Sequence, residues 1–187
     1  VKEDSPFTVF ARYGGKAHAV AERKKRHRGQ KDAFLEGEPE IAGDERYTTR
    51  ETMAWCLERA GVDGFDLDVA ACEESHHAPR WYSKVDNGLL QPWFGRVWCN
   101  PPYSDIEPWA KRAWEQLTSC AVIAMLVPAT RTEQPWWHSH IEPRRDRDEQ
   151  LRSFFLPGRT EFARPGSGGV AQSGSPFGCV LLVWRNA

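Results

Sequence analysis

The sequence is poor in the features that mark secreted, membrane-spanning and metal-clipped chains. Its five cysteines, Cys56, Cys72, Cys99, Cys120 and Cys179, are odd in number and form no C-x-x-C pair. That pattern argues against a disulfide framework and predicts free thiols in a reducing compartment. No apolar run approaches the roughly 20 residues that cross a bilayer, and the polar amino-terminal segment has no apolar signal core. A soluble, cytoplasmic protein with no membrane partner is expected. Neither sign of charge dominates either: 25 Lys and Arg stand against 26 Asp and Glu, a formal net charge of -1. Any polyanion must therefore be met by a local patch.

At 187 residues the chain suits one α/β domain, which buries roughly 70% of the surface its unfolded form exposes. Residues 1–43 read as a basic or charged arm. Arg12, Lys16, Arg23, Lys24, Lys25, Arg26, Arg28 and Lys31 face one acid, Glu22, over that run, which either grips phosphates or is a solvated tail. The domain proper spans residues 44–187. Thr48 or Thr49 can cap a helix through Met53, Leu57 and Ala60 that Gly61 stops. Phe65 to Ala71 alternates apolar and acidic residues as a strand does, and Gly95 to Cys99 is a second strand. Ile106, Trp109, Ala110, Ala113 and Leu117 keep helical spacing, with Pro108 tolerable in the first turn. Ala121 to Val127 is apolar throughout and stops at Pro128, as a strand covered on both faces would. Leu151 to Leu156 and Phe177 to Trp184 add two strands around the Gly- and Ser-rich loop from Pro165 to Ser175. This alternation predicts a single, doubly wound, mostly parallel sheet with ligands at the carboxyl ends of its strands.

Asn100-Pro101-Pro102-Tyr103 follows directly on the second strand. An Asn side-chain carbonyl and a neighbouring backbone carbonyl can both accept hydrogen bonds from one planar amine, and the two prolines fix the backbone that presents them. Tyr103 offers an aromatic face on which an extruded base can stack. Asn-Pro-Pro is also an ordinary turn sequence; its place at a strand end in an α/β pattern favours the catalytic reading.

The surrounding blocks carry a family resemblance. Phe65-Asp66-Leu67-Asp68-Val69-Ala70-Ala71, Trp81-Tyr82, Asn87-Gly88-Leu89, Gln91-Pro92-Trp93, Gly95-Arg96-Val97-Trp98-Cys99 and Asn100 to Ser104 fall in the order seen in phage-type, Dam-like DNA N6-adenine methyltransferases. So do Leu126 to Ala129 with Arg131, Phe155 to Arg159 with Phe162, and Ser175-Pro176-Phe177. The chain resembles that family from about Asp44 to Arg185. The resemblance implies a Rossmann-like fold, S-adenosylmethionine as donor, double-stranded DNA as partner, and Asn100, Pro101, Pro102 and Tyr103 as the catalytic tetrapeptide. It implies a donor site at Thr48, Asp66, Asp68, Asp86 and Asn87, although Thr49 stands where the family usually has proline. Tyr103, Ser104, Arg131, Trp136 and Trp137 are candidates for contact with DNA, the two tryptophans lying in an expected polar loop where they serve either the core or the target site.

No metal is expected, because Cys72, His76 and His77 lack a second ligand pair. Pro143 to Arg147 reads as a charged surface loop or a phosphate track. Rival readings are transfer to an amine of RNA, cytosine or protein glutamine, and a catalytically silent DNA-binding relative. A phage or prophage origin and a restriction-modification setting fit the resemblance. The recognition sequence and the oligomeric state are not written in the sequence.

Overall fold

Thr49 starts the first helix by accepting, through its hydroxyl, the Thr52 amide at 3.3 Å. The helix, α1 (Arg50–Ala60), ends where Gly61 turns left-handed at φ 60° and its amide returns to the Glu58 and Leu57 carbonyls. Both ends lie where the sequence signals put them. The computed structural model describes residues 46–164, 166–167, 170–172 and 177–186. The expected arm, residues 1–43, and Ser175 and Pro176 lie outside the described residues.

The main sheet has six strands: β2 (Leu67–Asp68), β3 (Arg80–Trp81), β4 (Gly95–Cys99), β5 (Cys120–Pro128), β6 (Leu151–Phe155) and β9 (Cys179–Arg185), in the order β3-β2-β4-β5-β9-β6. β3, β2, β4 and β5 run parallel, and β9 is antiparallel to both its neighbours. Five strands thus share one direction, which makes the sheet the mostly parallel, Rossmann-like one expected. The predicted strand over Phe65 to Ala71 is shorter than its alternation suggested. Pairing nonetheless continues at its ends, with the Asp66 amide on the Arg96 carbonyl and the Val69 amide on that of Trp98.

Register explains the core. Leu67, Val97, Ile123, Trp184 and Leu151 sit side by side across five strands and all are fully buried. Full burial of each such side chain is worth roughly 1.5–3 kcal/mol. Trp184 meets Trp114 edge-on at 6.0 Å, so this row faces α2 (Glu107–Gln116). The next row, Asp68, Trp98, Ala124 and Val183, points to the other face. Arg185 shares that parity and its guanidinium donates to the Ala60 carbonyl of α1. The two helices therefore cover opposite faces, as a doubly wound sheet requires.

Some elements have no signal in the sequence pattern, β3 among them. Trp136 and Trp137 lie on a short helix, α3 (Pro135–His140), with both rings buried, rather than in a polar loop; Pro135 at its first turn pre-sets the helical φ. A small antiparallel sheet joins β1 (Tyr47–Thr48), β7 (Phe162–Ala163) and β8 (Ala171–Gln172) in the order β1-β7-β8. Strands of two residues carry no readable alternation. No helix among the described residues is long and apolar enough to cross a membrane, and the five cysteines are free.

Candidate active site

The connection from β2 leads outward to β3, and that from β4 leads the opposite way to β5. The sheet order therefore reverses between β2 and β4, and the carboxyl ends of these two strands flank the position where open α/β sheets usually take their ligands, the switch-point crevice. Asp68 ends β2 on one side of it. Asn100 follows β4 on the other.

Asn100 is held by its amide nitrogen. Nδ2 donates to the Arg46 carbonyl at 2.7 Å and lies 3.4 Å from the Thr48 hydroxyl oxygen. A carbonyl can only accept, so the amide orientation is fixed and Oδ1 is turned away from β1. That Oδ1 is buried and has no hydrogen-bond partner among the described residues. Leaving a buried acceptor unmet costs about 1–3 kcal/mol, and such atoms persist where a ligand completes them. Beside it, the Pro102 carbonyl is occupied by the Asp105 amide at 3.2 Å.

Tyr103 is buried, with its ring edge-on to Phe162 and tilted against Phe177 at about 6 Å. Its hydroxyl lies 3.8 Å from Cys179 Sγ, and burial raises the phenol well above its ordinary pKa. The Arg46 guanidinium lies over the ring, 5.3 Å from its centroid. Tyr103 also lines a cleft of about 200 Å³ together with Ser104, Arg131 and Trp136. Four of the five candidate DNA-contact residues thus share one cavity. Trp137 does not join them: it is 2% exposed and its Nε1 donates to Glu142 at 3.0 Å. Arg145, from the charged segment after α3, pairs with Glu142 and Asp146.

The five candidate donor residues are spread more widely. Asp68 is 1% exposed and accepts the amides of His77 at 3.0 Å and Ala70 at 3.3 Å. Burial outweighs these bonds and pushes its carboxyl up to about 7. The neighbouring His77 goes the other way, down to about 4, through burial and then the charge of His76, and its buried Nε2 has no partner among the described residues. Asp66 lies at the opposite end of the strand. Arg96 grips it with Nη2 at 2.8 Å and Nε at 3.0 Å, and its hydrogen bonds hold that carboxyl at about 2. The structure thereby separates the two aspartates: one is tied into an ion pair, the other is buried beyond the reach of any cation among the described residues.

Asp86 is exposed and accepts from the Ser83 amide and hydroxyl at 2.8 and 2.6 Å, which closes the turn after β3. Asn87 adopts φ 56° and its Oδ1 accepts from Leu89. Gly88 lies against the Val69 carbonyl just past β2, so close that an added Cβ would stand 2.0 Å from its oxygen. Thr48 stands beside Asn100. Among the described residues no three His, Cys, Asp or Glu side chains group to hold a metal; Cys72 bonds the Tyr47 hydroxyl and His76 stacks on Trp81.

The sequence gives no site signal for Arg46, and it leaves open whether His77 flanks a donor pocket or faces solvent. Arg46 precedes a two-residue strand and fits no motif. His77 is brought onto Asp68 by the turn from Cys72 to Ala78, which has no periodic signature.

A DNA N-6-adenine-methyltransferase of Escherichia phage T1 is 33% identical over 162 residues, covering 79% of this chain and 65% of that relative's length. A solved Pyrococcus horikoshii structure, provisionally described as an RNA methyltransferase, matches 88% of this chain and 99% of its own with a TM-score of 0.46 and 11% identity. The family model described as DNA N-6-adenine-methyltransferase (Dam) matches residues 40–187. That match takes in the crevice, both strands that flank it and the Asn-Pro-Pro-Tyr turn, and the chain belongs to the DNA N-6-adenine-methyltransferase (Dam) family.

Proposed function

We propose that this chain transfers a methyl group from S-adenosylmethionine to the exocyclic N6 of adenine in double-stranded DNA, acting on a base extruded from the duplex. The observation that carries the reading is the buried, unpartnered Asn100 Oδ1, whose amide nitrogen is anchored on Arg46 and Thr48. An aromatic amine is a poor nucleophile because its lone pair is delocalised into the ring. Asn100 Oδ1 accepts one N6 hydrogen and the Pro101 carbonyl, unlike the occupied carbonyl of Pro102, accepts the other. Drawing both hydrogens into these acceptors favours a pyramidal nitrogen with a localised lone pair. Neither acceptor is a strong base; they hold the proton as positive charge develops, and solvent then removes it. Ser104 and Arg131, at the rim of the Tyr103 cleft, contact the DNA on either side of the base.

The residues fit the donor. Asp68 is a buried acid with no cation beside it among the described residues, suited to the donor's ammonium, and the Asn87-Gly88 turn packs against the adjoining backbone closely enough to form one wall of the pocket. When bound, S-adenosylmethionine supplies an electrophilic methyl group. Asp66, locked on Arg96, keeps the β2 and β4 strand starts together and takes no direct part. Asp86 shapes the turn that holds Asn87.

This assignment gives donor binding a pH dependence. Ammonium binds the ionised carboxyl, and Asp68 ionises only near pH 7. Donor affinity is expected to rise about tenfold per unit as pH approaches 7 from below, then level off. His77, held near 4, stays neutral throughout that window. The same raised pKa means that Asp68 favours the ligand-free fold below its unfolded value near 3.8, a contribution lost as pH rises through about 7. Titrating donor between pH 5.5 and 8.5 by tryptophan fluorescence checks this. Asp68→Asn should flatten the profile, and a wild-type profile already flat would remove Asp68 from the donor site.

The overall test is methyl transfer from labelled donor to unmethylated duplex DNA, with nucleoside analysis of the product. N6-methyldeoxyadenosine is the expected product. Label in cytosine, RNA or protein instead would reassign the acceptor, and donor binding without transfer to any of them would reject the reading.

A further inference from the structure

Arg46 is the cation that the proposed reaction leaves unused. Its guanidinium lies 5.3 Å from the Tyr103 ring centroid and 5.2 Å from that of Phe177. It makes no ion pair or side-chain hydrogen bond among the described residues, although it sits half-buried at a site wall. Arg96 grips Asp66 and Asp63, and Arg145 grips Glu142 and Asp146; Arg59 and Arg80 also lie over aromatic rings, Trp55 and Phe94, but only Arg46 covers the ring of the Asn-Pro-Pro-Tyr turn among the described residues. A guanidinium held only by aromatic faces keeps its five donors uncommitted. Its backbone, by contrast, is fixed, since the Arg46 carbonyl anchors Asn100. The side chain can move without disturbing the catalytic amide.

Resting on the reaction proposed above, we propose that Arg46 is a positioning residue that exchanges partners when DNA arrives. In the DNA-free protein the guanidinium occupies the aromatic face on which the target base stacks. On binding, it leaves that face for a phosphate next to the extruded nucleotide, where a planar fork can bond two oxygens at once. Entry of the base and engagement of the backbone become one event. A free nucleoside carries no flanking phosphate to draw the arginine away, so the arrangement favours adenine within a strand over adenine alone. Position supports DNA over the donor as the anion: Arg46 covers the ring that lines the cleft of Ser104, Arg131 and Trp136, whereas the Asp68 end of the crevice suits the donor's ammonium.

The test compares wild type with Arg46→Gln and Arg46→Lys, both of which keep the backbone carbonyl on Asn100. Duplex affinity is measured from 50 to 200 mM salt. Loss of one phosphate contact lowers the log-log salt slope by about 0.9, so Arg46→Gln should lose about 3.5-fold less affinity than wild type across that range. Inhibition by free 2′-deoxyadenosine should strengthen about fivefold in Arg46→Gln, the size of one cation–π contact no longer displaced. Arg46→Lys should stay near wild type in both, and donor affinity should change less than twofold in either variant. An unchanged salt slope or unchanged nucleoside inhibition in Arg46→Gln overturns the proposal. A fall in donor affinity with an unchanged slope also overturns it, and assigns the guanidinium to the donor's carboxylate. If wild type itself shows no salt-dependent duplex binding, the failure lies with the DNA reading.

Discussion

Asn100→Ala is expected to lower the methylation rate on duplex DNA by about 10²–10³-fold while KM for DNA and donor affinity change less than threefold. The magnitude is that of removing one preorganised hydrogen-bonding group matched to charge developing in a transition state. The split follows from the geometry. Oδ1 meets no partner among the described residues, so its loss costs the folded state little. The partners on the other side of the amide, the Arg46 carbonyl and the Thr48 hydroxyl, face an exchange of one hydrogen bond for water or a local shift, worth about 1 kcal/mol. An interaction made only with the reacting amine should appear in kcat. Single-turnover transfer from labelled donor, with donor binding measured separately, reads both numbers. A variant that loses donor affinity and keeps its single-turnover rate at saturation would make Asn100 a binding residue and transfer the catalytic role elsewhere.

The turn at Asn100-Pro101-Pro102 was legible because its signal is local. A strand that ends on Asn-Pro-Pro presents its side chain at the sheet edge whatever the rest of the chain does, and β4 ends at Cys99 as its pattern required. The caps of α1 were legible for the same reason, since Thr49 and Gly61 act within four residues of themselves. What could not be read is what depends on distant partners. The alternation from Phe65 to Ala71 makes Asp66 and Asp68 equivalent; only Arg96, thirty residues on, distinguishes them by capturing Asp66. Trp136 and Trp137 read alike too, until Glu142 anchors one and the Tyr103 cleft takes the other. Arg46 had no signal at all, because its place against the Tyr103 ring depends on β1 pairing with β7 more than a hundred residues away.

Among the described glycines, Gly88→Ala should be the most damaging single-methyl change. A Cβ at Gly88 would stand 2.0 Å from the Val69 carbonyl oxygen, 3.1 Å from its carbon and 3.4 Å from the Trp109 ring. Two of those atoms are backbone at the end of β2, beside the crevice, and cannot swing aside as a flexible side chain could. The turn must lift instead. Lifting it pulls the Gly88 carbonyl off Trp93 Nε1, a 2.8 Å bond made by a 1%-exposed indole, and moves Asn87 with it. Overpacking against a fixed wall is expected to cost roughly 3 kcal/mol, a fall in Tm of roughly 6–12 °C for a chain of this size. On the donor site proposed above, in which the turn and the Asp68-Val69 strand end share one wall, donor affinity should drop at least tenfold at a temperature where the variant is still folded. Gly64→Ala is the matched control: a Cβ there meets nothing within 4 Å, and its stability should stay within about 0.5 kcal/mol of wild type. Thermal melting of both variants with and without donor separates the two effects. A Gly88→Ala protein that melts like wild type would mean that the turn rides free of β2; one that melts low yet binds donor normally would keep the packing argument and remove the turn from the donor pocket.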